Sequence, residues 1–148
     1  IPFVQGNLHI DIPGMQPYYE YADKKGLPIL FHAWQTHEIK DAMEVAKRYR
    51  NAKFIFGHSG FVHKEGKELA IEACKCCENV MLDTTLSDVC DGAVEWIADQ
   101  VGADRLVYGT DLTAFECAHI LGRILLCKLS DTDKEKILGL NAKKFLNL

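Results

Sequence analysis

Four short apolar runs recur along the chain, at residues 27–34, 52–60, 79–85 and 105–113. Each is nearly continuous rather than alternating, which predicts strands buried on both faces of a parallel sheet. Between them the apolar positions switch to a helical period. Ile39, Ala42, Met43, Ala46 and Tyr49 form one stripe, and Ala93, Val94, Ile97, Ala98 and Val101 another. Ala118, Leu121, Leu125 and Leu129 predict a third, and the segment 69–77 is helical in type. A helix over 15–25 ends at Gly26, a plausible C′ glycine. After the last unit, Ser130 to Asp133 offers N-caps for a terminal helix carrying Ile137, Leu138 and Leu140, and Asn141 is expected to cap a final short turn.

This strict alternation predicts an α/β fold with right-handed crossovers. Measured from His32 to His58, Asp83 and Asp111, the strand ends are 26, 25 and 28 residues apart, the length of one βα unit. The spacing allows either an open doubly wound sheet or an arc of a barrel.

Length changes the picture more than composition does. At 148 residues the chain is too short for a full (β/α)8 barrel of about 250 residues. It opens at Ile1 in mid-pattern, without a charged segment leading into an apolar one, so a fragment without a signal peptide is expected. With 17 basic and 21 acidic residues the net charge is −4, so neither nucleic acid nor an acidic membrane surface is an expected partner. No apolar run approaches the roughly 18 residues of a membrane span. Three of the six cysteines crowd into positions 74–77, a poor disulfide layout, so free thiols and a cytoplasmic location are expected.

Polar residues gather where the strands stop: His32, His58, Asp83 and Asp111. In parallel α/β folds such positions converge on one rim. Two imidazoles with one or two carboxylates suit a divalent transition metal and the activation of water. The plainer reading of Asp83 is that it ties down its own loop through Asx-type bonds. Ser59 in Gly-His-Ser-Gly lacks the second glycine of a nucleophile elbow. Cys74 and Cys77 have C-x-x-C spacing but no second pair, so helical packing is the better account. His9, His37, His63 and His119 have no partner spacing and read as loop histidines. Trp34, two residues past His32, could wall a substrate pocket.

At these residues the pattern becomes specific. Pro-Ile-Leu-Phe-His32-Ala-Trp, Phe-Ile-Phe-Gly-His58-Ser-Gly, Val-Tyr-Gly-Thr-Asp111 and Ile-Leu-Gly-Leu-Asn141-Ala resemble the second half of the amidohydrolase-2 family. Pro2-Phe-Val-Gln-Gly and Pro17-Tyr-Tyr-Glu-Tyr-Ala resemble the segment after that family's fourth strand, so the likeness covers nearly the whole chain. The resemblance implies strands five to eight of a TIM barrel, with residues 1–148 as a partial domain. It implies that His32 and Asp111 are metal ligands, with zinc the first expectation and manganese the second. It also implies that Asp111 handles the proton of an attacking water, and that His58 is a further ligand or a general acid/base. The family's first-strand His-x-His pair has no counterpart, since no two histidines lie two apart.

The resulting expectation is a metal-dependent hydrolase acting on a C–N or C–O bond of a small organic substrate. A nonoxidative decarboxylase of the same family and a noncatalytic, self-associating half-barrel are the alternatives. Open parallel-sheet edges favour association, so a homo-oligomer or pairing with the missing N-terminal half is expected.

Overall fold

The computed structural model describes residues 9–60, 64–85, 92–112 and 116–148. It is an alternating α/β arrangement around one four-stranded parallel sheet of order β1-β2-β3-β4, with β1 Pro28–His32, β2 Lys53–Gly57, β3 Val80–Asp83 and β4 Leu106–Val107. The helices are α1 Gln16–Lys25, α2 Thr36–Arg48, α3 Lys64–Cys76, α4 Ala93–Val101, α5 Cys117–Leu126, α6 Asp131–Glu135 and α7 Asn141–Leu146, with a π-type turn Lys136–Leu140 joining the last two. Consecutive strands are neighbours throughout, the order of a barrel arc rather than of a doubly wound sheet, whose order reverses.

The register aligns His32 with Gly57, and Leu30 with Ile55 and Met81. Side chains alternate across a strand, so Phe31, Phe54, Phe56, Val80, Leu82 and Leu106 enter the helix-side core while Leu30 and His32 lie on the other face. Phe31 stacks on Phe54 at 5.4 Å between ring centroids and meets Tyr19 of α1 and Phe56 edge-on. Burying a Phe side chain contributes about 1.5–3 kcal/mol, and three of them adjoin here. Gly26 closes α1 at φ 64°, the left-handed C-cap its position predicts. Ser130 caps α6 by accepting from the Asp133 amide at 3.1 Å.

Three local expectations are corrected. The apolar run at 105–113 forms only a two-residue strand, because the chain leaves the sheet at Tyr108, whose N–H donates to Ile137 C=O at 3.0 Å. On α5 the buried stripe is Ile120 and Ile124, whereas Leu121 and Leu125 face outward. That helix carries two apolar faces, so periodicity alone could not choose between them. Asn141 does not cap the last helix: its Nδ2 donates to Ala103 C=O and Leu106 C=O, both at 2.7 Å. The thiols are free among the described cysteines, and Cys74 packs in the core with its Sγ donating to Val80 C=O. Cys90 and His63 lie outside the described residues.

Candidate active site

The site is built at the carboxyl ends of β1 and β2. His32 is the last residue of β1, and His58 opens the turn His58–Gly60 directly after β2. Their rings meet edge-on at 4.8 Å between centroids. Trp34 stacks on His32 at 5.2 Å and 10° and meets His58 edge-on at 5.4 Å, walling one side of the pair. Asp111 lies beyond β4, exposed, with φ 52°, and acts electrostatically on His32.

The His58 turn is strained and tightly held. His58 and Ser59 both have left-handed backbones, φ 66° and 46°, which cost energy for residues other than glycine. Asp83 at the end of β3 supplies the restraint. Its Oδ1 accepts from the His58 amide at 3.0 Å and the Thr85 amide at 2.9 Å, and its Oδ2 accepts from Thr85 Oγ1 at 2.8 Å. Ser59 Oγ donates to the Asp83 carbonyl, so the serine is buried and structural rather than nucleophilic. The Thr85 amide bond is the Asx-type contact expected of Asp83, and the bond to His58 extends it across strands. A side chain at Gly109 would strike the Asp83 carboxylate, and one at Gly60 would strike the backbone of Gly66 and Lys67, so both positions require glycine. Burial pushes the Asp83 pKa up, against the pull of these hydrogen bonds.

A further hydrogen bond sets the tautomer of His58. His58 Nδ1 lies 3.2 Å from Thr85 C=O, and a carbonyl only accepts, so Nδ1 carries the hydrogen and Nε2 is the lone-pair nitrogen of the neutral ring. His32 Nδ1 faces Glu38 Oε2 at 3.8 Å. Burial, and then the neighbouring His58, lower the His32 pKa, while Glu38 and Asp111 oppose them, so the neutral imidazole is favoured.

Glu38 was not among the candidates read from the sequence. It accepts from the Gln35 amide at 2.8 Å and the Trp34 amide at 3.1 Å, completing a capping box at the start of α2 while it faces His32. The Gln-x-x-Glu spacing was the available signal. Away from the pair, His9 bonds Asp41 at 2.8 Å and lies edge-on to His37, whose Nε2 has no hydrogen-bond partner among the described residues. His119 sits exposed on α5.

Two imidazoles near a carboxylate are suitable donors for zinc or manganese. Among the described residues, however, no group of three His, Cys, Asp or Glu side chains lies close enough to hold a metal ion. The donor chemistry fits, and the number does not.

The family model described as amidohydrolase (Amidohydro_2) matches residues 4–148. No curated protein matches. Among solved structures, the uncharacterised TIM-barrel protein Bb4693 from Bordetella bronchiseptica superposes with a TM-score of 0.79 at 17% identity, over 95% of this chain and 52% of that one. A dihydroxybenzoic acid decarboxylase from a Polaromonas species, with bound manganese and the inhibitor 2-nitroresorcinol, gives 0.71 at 16% identity, over 98% of this chain and 57% of that one. An amidohydrolase from Burkholderia multivorans with bound zinc gives 0.71 at 12% identity, over 93% and 58%. At these identities the likeness shows the fold, and the chain spans little more than half the length of these barrels.

Proposed function

From the premise that the chain belongs to the amidohydrolase-2 family, we propose that it is the strand-five-to-eight part of a metal-dependent hydrolase acting on a C–N or C–O bond of a small organic substrate. The observation that carries this reading is the His32–Trp34–His58 cluster at the carboxyl ends of β1 and β2, with Asp111 beyond β4 on the same rim. On this reading His32 and His58 offer two positions of a divalent-cation site, zinc first and manganese second. Asp111 together with residues outside these four strands would have to close on them, since among the described residues the three do not hold a metal by themselves. A metal in such a site supplies polarisation of a bound oxygen and brings the pKa of its water toward about 7.

The chain's own groups have distinct tasks. His58, fixed with Nδ1 on Thr85 C=O, presents Nε2 as ligand or proton acceptor. His32 is pushed toward its neutral form by burial and faces Glu38. Asp111, the exposed carboxylate, accepts the proton of the attacking water. Trp34 covers the histidine pair and offers an aromatic wall to a planar substrate. The partners on this reading are a small-molecule substrate and a second half-barrel, in a cytoplasmic protein without nucleic-acid or membrane contacts. No helix among the described residues is long and apolar enough to cross a membrane.

The manganese-bound decarboxylase among the structural neighbours favours a second reading, loss of CO2 from an aromatic acid on the same scaffold. One experiment addresses both. Metal content is measured for the full chain and for His32→Ala and Asp111→Ala, and the metal-loaded protein is offered amides, lactones and aromatic acids. Zinc or manganese retained by the unmutated chain and lost in both variants supports the site. Hydrolysis supports the first reading and CO2 release the second. Absence of metal from the unmutated chain overturns catalysis by this chain alone.

A further inference from the structure

A second cluster lies at the opposite end of the sheet from the histidines. α3 ends at Cys76, and Cys77 follows just before β3. Adjacent residues within a helix do not face each other. Here the helix stops between them, with the Cys77 amide still donating to Ala73 C=O at 3.0 Å, and the two Sγ atoms approach to 3.4 Å. Cys76 is exposed and Cys77 buried, so the pair has one open side and one seated side. It borders a cavity of about 330 Å³ lined also by Lys47, Arg50, Glu78 and Asn79. Cys74 does not join it, since its thiol is turned into the core against Val80 C=O.

The surroundings narrow the ligand. A structural zinc site needs four donors, and no third His, Cys, Asp or Glu completes a group with the pair among the described residues. Lys47 and Arg50 bring two positive charges to a cavity with one lining carboxylate, Glu78, while Glu44 is already paired with Lys47 at 2.7 Å. Bare divalent cations are therefore disfavoured by charge and by donor count. Two preorganised thiols suit instead an uncharged, thiophilic centre with two exchangeable positions.

We propose that Cys76 and Cys77 form a vicinal-dithiol site that chelates an uncharged trivalent arsenical. For an arsine oxide, two S–H bonds and the arsenic–oxygen bond break and two As–S bonds form. Both protons leave with the oxide oxygen as one water, and arsenic stays trivalent throughout. Because the protons depart on oxygen, the step does not require a preformed thiolate. Burial and the neighbouring Cys76 hold the Cys77 thiol up to about 12, consistent with a step in which Cys77 reacts from its protonated sulfur.

The test uses phenylarsine oxide on the full chain, read by intact mass and by circular dichroism. The expected product is one phenylarsenic per chain. It resists a monothiol such as 2-mercaptoethanol and is stripped by 2,3-dimercaptopropanol. Chelation by two linked donors exceeds single-site binding by about 100-fold or more, and retention should fall by that factor in Cys76→Ser, whose exposed position leaves the fold intact. Cys77→Ser should lose the adduct equally, and Cys74→Ser and Cys117→Ser should keep it. An adduct that persists in folded Cys76→Ser, or that a monothiol removes from the unmutated chain, overturns the proposal.

Discussion

The two edges of the sheet are finished in opposite ways. On β4 the Val107 carbonyl accepts from the Thr84 amide just past β3 at 2.9 Å, so the Leu106 carbonyl and the Tyr108 amide alternate to the outer side. Both are satisfied there by the C-terminal segment: Asn141 Nδ2 donates to Leu106 C=O, and Tyr108 N–H donates to Ile137 C=O. On β1 the Leu27 carbonyl and the Ala33 amide bond β2, so Pro28, Leu30 and His32 turn their backbone groups outward. No strand pairs with that side among the described residues. Pro28, with no N–H to offer, stands where a proline is tolerated, at the first residue of an edge strand. A two-residue strand is thus closed by side chain and helix, while among the described residues no strand covers the outer side of the five-residue β1. β1 is held instead by its buried face, and the C-terminal segment does for β4 what a neighbouring strand would do.

That contrast predicts where the chain is fragile. Phe31→Ala removes the ring that joins Phe54, Phe56 and Tyr19 and should cost about 3–5 kcal/mol in denaturant unfolding. A loss below about 1 kcal/mol would show that the face does not anchor β1. Asn141→Ala should cost about 2–4 kcal/mol, because it leaves the buried Leu106 carbonyl unpaired and deprives Ala103 as well. Hydrogen exchange separates the two variants. In Asn141→Ala the Tyr108 amide should exchange faster while the β1–β2 amides, Ala33 among them, keep their protection, and uniform acceleration would refute independent closure of the β4 edge.

The Asn141 result also marks the limit of sequence reading. The α/β alternation, the four strand positions and the nearness of His32 to His58 were legible because near-continuous apolar runs and strand-end spacing are set by the backbone period. The short β4 was not, because strand length there depends on partners far downstream, Ile137 for Tyr108 and Asn141 for Leu106. The α5 face was not, because Ile120/Ile124 and Leu121/Leu125 satisfy the helical period equally. Asp83 was legible as a loop carboxylate, yet its hold on the His58 amide crosses 25 residues and only the folded register reveals it. Glu38 could have been found from its spacing to Gln35, whereas its approach to His32 needed coordinates.

A smaller effect tests how α1 covers β1. Tyr19 is fully buried, its hydroxyl donates to Ile10 C=O at 2.8 Å, and burial followed by Asp11 and Asp41 pushes its pKa from 10.0 to about 12. The raised value means the folded state holds the phenolic proton more tightly than the unfolded chain. The linked stability is therefore complete below pH 10 and is lost as pH rises toward about 12. Tyr19→Phe should cost about 1 kcal/mol at neutral pH and remove that alkaline loss. If ultraviolet titration shows Tyr19 ionising with the exposed Tyr18 and Tyr21, the cover over β1 is looser than described.

The smallest expected change in stability belongs to the open edge itself. Leu30 is 54% exposed, and its outward backbone groups stand ready for another strand. A lysine there should alter unfolding by no more than about 0.5 kcal/mol, as at other exposed positions. Edge lysines oppose strand addition, because pairing would desolvate the charge. Any association that closes the sheet should therefore weaken in Leu30→Lys while the melting temperature stays fixed. Leu125→Lys places the same charge on the outward face of α5, away from β1 in the chain and off the sheet. Sedimentation velocity of the two variants against the unmutated chain then reads which side carries the contact. Loss of association in Leu30→Lys alone places it at β1. Loss in Leu125→Lys alone places it on the helices, and the open strand would then be protected by its proline and its short length rather than by a partner.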